Sequence, residues 1–285
     1  MSSIFYFMTA ARAQNPFHQY AKLLQNSPSS ISPEQAHRFR TTARRLQAFS
    51  ERMDLSKRES NAISDTDNLR KRASKLHDID IQIALLAQVH TPNLKAPIES
   101  LQGYLQKKRT RFEAKLNKRI QRFQKEDLGK VLASISKRVP KGAAHSGIMA
   151  EVHTEFARLV SDHITHPRLK LDEELLHDLR IRLKKLRYRA EAAGPLPKAV
   201  AMVASIKKVQ DAIGHWHDCL KLLSTASKHI QDSTGVPLHA QIRSLTASAH
   251  SDALHACYAM AAEYNAPKKS PRTVVQPISS HTQTA

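Results

Sequence analysis

Between about Asn15 and Tyr264 the apolar residues recur at steps of three and four almost without interruption. That is the period of a helix burying one face, and no stretch alternates residue by residue as a half-buried strand does. Proline-bearing or polar breaks punctuate the pattern at Pro28 and Pro33, at Pro92 and Pro97, at "PKGAAHSG" (140–147), at "THPRLKLDEE" (165–174), at "GPLP" (194–197) and at "DSTGVP" (232–237). Each combines residues that end helices or turn the chain. The reading is an all-α fold. From Ala266 onward the chain is rich in Pro, Ser, Thr and basic residues with no apolar period, the composition of a disordered tail.

The run "LHDLRIRLKKLRYRAEAAG" (176–194) shows how charge sits on this periodicity. At about 100° per residue, Leu176, Leu179, Leu183, Leu186 and Ala190 form one apolar stripe. His177, Arg180, Lys184 and Arg187 line one flank of it, and Arg182, Lys185 and Arg189 the other. The stripe is predicted to face the core and so to aim a ladder with about one cation per turn. Like charges at these spacings repel by a few tenths of a kcal/mol per pair. A solvated basic face that serves solubility is the plain alternative.

The pattern occurs twice. "AHRFRTTARRLQAFSE" (36–51) aligns with "LHDLRIRLKKLRYRAE" (176–191): His37 falls on His177, Arg40 on Arg180, Arg44 and Arg45 on Lys184 and Lys185. Further on, His77 and Asp78 of "KLHDI" fall on His217 and Asp218 of "HWHDC". Both alignments use an offset of 140 with no gap, which points to an internal duplication. It predicts one helical domain over 15–265, with halves of about 15–140 and about 148–265. Each half is a bundle of about four helices, the two related by a pseudo-two-fold axis. The segment 1–14 and the tail 266–285 flank it. A third basic helix, "KKRTRFEAKLNKRIQRF" (107–123), sets Lys108, Arg111, Lys115, Lys118 and Arg122 opposite Phe112, Leu116, Ile120 and Phe123, and Lys207 and Lys208 lie near the second repeat.

Composition sharpens this. Of 285 residues, 45 are Lys or Arg and 25 are Asp or Glu, a formal charge of +20. Such an excess calls for a polyanionic partner: nucleic acid, an anionic membrane or a phosphate polymer. Few aromatics lie among the basic residues, which disfavours a platform for stacking bases. Seven glycines and 5% aromatics suit helices better than tight-turned sheets. Two cysteines, Cys219 and Cys257, make no disulfide framework and point to a reducing, cytoplasmic setting. The apolar run in "MSSIFYFMTAARAQ" lacks a basic flank and is too short to span a bilayer, so no membrane role is expected.

The twofold His-x-x-Arg-x-x-x-(Arg/Lys)-(Arg/Lys)-Leu spacing, with an Asp-bearing helix after each copy, resembles the CHAD family, the conserved histidine α-helical domains. "HRFRTTARRL", "HDLRIRLKKLRY", "HDIDIQIALL" and "HWHDCLKLL" carry the resemblance, over about Ile31 to Tyr264. It implies two four-helix bundles around a basic groove, binding of inorganic polyphosphate without catalysis, and recruitment to polyphosphate granules. Carried onto this chain, it implies ligand-facing roles for His37, Arg40, Arg44, Arg45, His177, Arg180, Lys184, Lys185, Arg187 and Tyr188. Arg182, Lys108, Arg111, Lys115, Lys207 and Lys208 join them on charge and spacing. Gln47 stands where the second copy has Arg187, so the first ladder is shorter. His77 and His217 stand where relatives often carry Arg.

Three further readings remain in view. A helical protein gripping the nucleic-acid backbone fits the charge. An enzyme of phosphate chains, or a phosphohistidine carrier, would use His37 or His177 directly, but no P-loop or kinase signature accompanies them. His37 and His177 either donate to phosphate or play a structural part. Asp78 and Asp218 are expected to orient a ladder arginine or to brace a helix. His215 and His217 do not share a helix face, so no metal site is expected. No cofactor is expected either.

Overall fold

A computed structural model describes residues 15–51, 53–89, 94–138, 146–165, 171–192, 197–231 and 235–265. The expected N-terminal segment and basic tail lie outside the described residues, as do most of the breaks at 140–147, 165–174, 194–197 and 232–237. The described residues form helices joined by short turns: α1 (Pro16–Gln25), α2 (Pro33–Ser50), α3 (Lys57–Leu86), α4 (Lys95–Lys125), α5 (Leu128–Arg138), α6 (Ser146–Leu159), α7 (Glu173–Ala192), α8 (Pro197–His229) and α9 (Val236–Asn265). A π turn, Val160–Ile164, extends α6. None of these helices is long and apolar enough to cross a membrane.

Several of the prolines read as breaks in fact open helices. Pro33 and Pro197 stand at the first helical position, where the missing N–H costs nothing, and so does Pro16 at the start of α1. Ser32 and Ser56 close capping boxes with Gln35 and Glu59, satisfying two exposed donors at the start of α2 and α3. Asp127, with φ 56°, turns the chain between α4 and α5 in the left-handed region that Asp tolerates.

The stripes read from the sequence are buried. Leu176, Leu179, Leu183, Leu186 and Ala190 have no exposed surface, and neither do Ala36, Ala43 and Leu46. The 140-residue offset also appears in the helix boundaries: α2 and α7 begin at 33 and 173, and α3 and α8 at 57 and 197. α4 and α9 both end there too, at 125 and 265. The first half has one more helix, α5. Side chains form two cores that do not divide where the sequence repeats. One joins α1, α2, α5, most of α3 and the end of α4. The other joins α6 to α9 with the last turns of α3 and the start of α4. Half-buried Phe112 packs against both. At the centre α2 packs on α3, α3 on α8, α8 on α7 and α7 on α2, a closed ring of four helices.

One polar network ties the first half together. Arg109 on α4 donates to Asp80 on α3 (2.7 Å), to Glu113 (2.9 Å) and to the Ile31 carbonyl (2.8 Å). Glu113 in turn accepts from the Ile31 N–H. Burial raises the Asp80 carboxyl above its usual range despite Arg109, so the pair is held in a poorly solvated place. Removing Arg109 leaves Asp80 buried without its partner. Arg109→Ala is expected to cost about 2 kcal/mol, read as a lower denaturant midpoint at unchanged slope. An unchanged midpoint would show the network to be superfluous.

Candidate functional site

The ring of α2, α3, α7 and α8 carries the repeated charged residues on its facing surfaces. α2 contributes Arg40 and Arg44, α7 Arg180 and Lys184, α3 His77 and Asp78, and α8 His217 and Asp218. All eight are partly or fully shielded from solvent. The buried leucine and alanine stripes of α2 and α7 rotate these cations toward the ring rather than outward. The histidines meet in matched pairs. The His37 and His77 ring centroids are 5.1 Å apart, and those of His177 and His217 are 5.5 Å apart. The second pair is the first displaced by 140 residues.

Electrostatics shows how closely the cations are gathered. Burial, then Arg180, Arg44 and Arg40, pulls the Lys184 ammonium down to about 6, against the opposing pull of Asp218. Burial and then Arg44 bring Arg40 down to about 10, with Tyr188, Asp78 and Asp218 pulling the other way. It stays charged at neutral pH. Arg180 is lowered by burial, and Asp218 and Asp78 oppose that shift. Burial, Arg40 and His37 lower His77 to about 4. His37 and His177 are lowered by burial and then by neighbouring cations and rings. For Asp218, burial pushes upward, but His217, Arg180 and Lys221 outweigh it and hold the carboxyl below its usual range.

Buried polar atoms in this ring lack protein partners. Arg40 Nε, Arg180 Nε, His77 Nδ1 and His217 Nδ1 make no hydrogen bond among the described residues. These are two pairs at the 140-residue offset. Buried polar atoms are ordinarily satisfied, and these matched orphans all lie on basic or imidazole side chains of the ring. His217 Nδ1 lies 4.0 Å from Asp218, too far for a hydrogen bond.

Asp78 braces two helices, while Asp218 acts electrostatically on Arg180. Asp78 accepts from Lys221 Nζ at 2.7 Å, joining α3 to α8. The sequence reading missed Lys221, because its counterpart in the first half is Ile81 and no repeat signals it. At the far end of the ring Glu191 is shared. Arg45 Nε reaches it across the α2–α7 contact at 3.0 Å, and Arg187 Nε at 3.4 Å. Arg187 also donates to the hydroxyl of buried Tyr188 (3.0 Å).

The remaining expected residues lie apart from this ring. Arg182 is exposed and paired with Asp178 at 2.6 Å, and Lys185 is exposed. Lys207 pairs with Asp211, and Lys208 stands 3.9 Å from Glu263 on α9. Lys108 lies over the Tyr104 ring, and Arg111 and Lys115 are exposed on α4. His215 lies on another face of α8 from His217, 3.9 Å from Cys219. No group of three or more potential metal ligands occurs among the described residues. Both cysteines are buried and unpaired.

Residues 17–226 match the CHAD domain family. Among solved structures, PptA from Streptomyces chartreusis superposes with a TM-score of 0.63 at 18% identity, over 86% of this chain and 95% of that one. At that identity the likeness concerns the fold. No curated protein matches the chain.

Proposed function

We propose that this chain, which belongs to the CHAD domain family, binds inorganic polyphosphate in the ring of α2, α3, α7 and α8 and does not turn it over. The observation that carries the reading is the matched set of orphaned nitrogens, Arg40 and Arg180 Nε with His77 and His217 Nδ1, among converging cations. Polyphosphate offers a regular row of anionic oxygens and no bases. Arg40 and Arg44, and Arg180 with Lys184, are each one helical turn apart, which suits contacts along such a row. Arginine can bind phosphate oxygens in bidentate fashion. His37 and His177 stand at the heads of the two ladders and donate to the chain ends of this row. Asp78 and Asp218 keep the cations from being driven apart, and Lys221 fixes Asp78. Recruitment to polyphosphate granules follows from the same affinity.

Binding of this kind releases counterions and weakens steeply with salt. Titration with long-chain polyphosphate is expected to give tight binding at low salt, with a linear fall in log affinity against log salt. No binding at low salt would sink the reading. Duplex DNA matched for charge is expected to compete poorly, because a rigid duplex presents its phosphates around a cylinder too wide for a ring of four packed helices. If the DNA wins that competition, a nucleic-acid backbone reading replaces this one.

A further inference from the structure

The duplication supplies a control inside the molecule. The central residues are basic in both copies, but the outer helices are not alike. α4 carries ten Lys and Arg, whereas its counterpart α9 carries only Arg243. The two helices hold the same place in the repeat, so folding alone does not call for the charge on α4. Solubility alone gives no reason to place it on one copy.

Two of these cations, Lys115 and Arg119, meet three from α3 at one feature. A cleft of about 400 Å³ between α3 and α4 is lined by Lys71, Arg72, Lys75, Lys115 and Arg119, with Asn68 and Phe112. On α8, 140 residues on, stand Asp211, Ala212 and His215 with Lys208, and on α9 the same numerical offset reaches His255, Ala259 and Asp252. Five cations in the first half thus face one cation and two acids in the second. Acids touch the cleft only at its margins. Asp67 holds Lys71 at 3.0 Å, and Asp65 lies 3.6 Å from Arg119. Arg72, Lys75 and Lys115 have no ion pair among the described residues. Arg119 lies over the Phe123 ring at 4.3 Å, with its buried Nε unsatisfied. The cleft also adjoins the central ring: Lys75 and Asp78 are three residues apart on α3, hence about 60° apart around its axis.

We propose that this cleft is a second phosphate-chain site, present only in the first half, which takes polyphosphate running on from the central ring. The inference rests on the polyphosphate reading above. It makes the protein a two-point clamp. The ring grips one stretch of the chain and the cleft another, so long chains gain from both contacts while short ones occupy the sites separately.

The second half shows which substitutions the fold accepts. A cleft variant, Arg72→Ala with Lys75→His and Lys115→His, copies Ala212, His215 and His255. It is compared with a ring variant, Arg44→Ala with Arg180→Ala. A charge-matched control removes three exposed cations elsewhere, Lys22→Ala, Arg158→Ala and Lys228→Ala. Calorimetric titration with tripolyphosphate at low salt is expected to show two sites in the wild type and one in either variant. For long chains the cleft variant should lose about tenfold or more in affinity, and the slope of log affinity on log salt should fall by about 2, as three lost contacts at ~0.7 each require. The control should keep both sites. A wild type with one site that the cleft variant retains overturns the inference and leaves the ring reading standing. So does a control that loses as much as the cleft variant. A wild type that binds neither ligand overturns the polyphosphate reading itself.

Discussion

Arg180→Glu combined with Lys184→Glu is expected to weaken binding of long-chain polyphosphate by about a thousandfold at low salt. Each wild-type side chain offers the ligand a charge-assisted contact of roughly 1.5–3 kcal/mol. Losing two such contacts removes about 4 kcal/mol, and each ~1.4 kcal/mol is a factor of ten. Reversing the charge adds repulsion. The new glutamates would face Arg40 and Arg44, which already lie within electrostatic reach of Lys184, so the double variant should fold. A melting curve checks this. Arg272→Glu, outside the described residues, is expected to change affinity barely at all. Comparable losses in the two variants would mean that net charge, not a localised ring, does the binding. The neutral pair Arg44→Gln with Arg180→Gln should fall between them, since it removes contacts without adding repulsion.

Affinity is expected to drop about tenfold per pH unit above about pH 6, and so about a hundredfold by about pH 8. The group responsible is Lys184, brought to about 6 by burial and by Arg180, Arg44 and Arg40, and opposed by Asp218. In the free protein it is neutral above that value. A bound phosphate chain favours the ammonium and raises its pKa, so binding takes up a proton. Affinity is therefore full below the free value and declines as pH rises toward the bound one. The sign for the free protein's stability is the opposite. The folded pKa lies below the unfolded ~10.4, so Lys184 makes the free protein more stable as pH rises through that window. Free-protein melting temperature and polyphosphate affinity should thus move in opposite directions over the same pH range. Lys184→Arg keeps the charge at every pH used and should flatten the affinity profile. A wild-type affinity that is level from about pH 6 to about pH 8, or an equal slope in Lys184→Arg, would contradict this coupling. Terminal phosphates also titrate near ~6, but they are few in long chains, and Lys184→Arg leaves their share in place.

The two expectations treat the ring as one electrostatic unit, and the structure supports that treatment. Arg40, Arg44 and Arg180 come from two helices 140 residues apart, yet all three act on Lys184, and Arg44 also acts on Arg40 and Arg180. The mutual repulsion of the free state is the quantity a polyanion relieves. Burial first, and then the neighbouring cations and rings, hold His37, His77 and His177 below the usual histidine range.

Much was legible in the chain itself. The apolar period alone gave the helices and their buried faces, because a stripe of Leu176, Leu179, Leu183, Leu186 and Ala190 can satisfy water exclusion in only one orientation. The His37/His177 and Asp78/Asp218 alignments gave the repeat, because a gapless 140-residue offset survives wherever the helices keep their lengths. These local regularities also pointed to Arg40, Arg44, Arg180 and Lys184 as the cations that meet. Some readings did not separate. On the helical wheel Arg182 and Lys185 look as useful as Arg180, and only the packing of α7 between α2 and α8 turns them outward. Pro33 and Pro197 read equally as breaks or as helix starts, since the residue that stops one helix also suits the first turn of the next.

What the sequence determined by itself is therefore the class of fold, a property of its period, while its offset and net charge gave the expectation of a doubling and of an anionic partner. Tertiary structure alone decided which charges share a space. The Lys221–Asp78 bridge, Glu191 shared between Arg45 and Arg187, and the cleft of Lys71, Arg72, Lys75, Lys115 and Arg119 each join residues with no common periodicity. Contacts between helices depend on how far each turns and how closely it approaches, and a one-dimensional pattern records only the face that each helix hides.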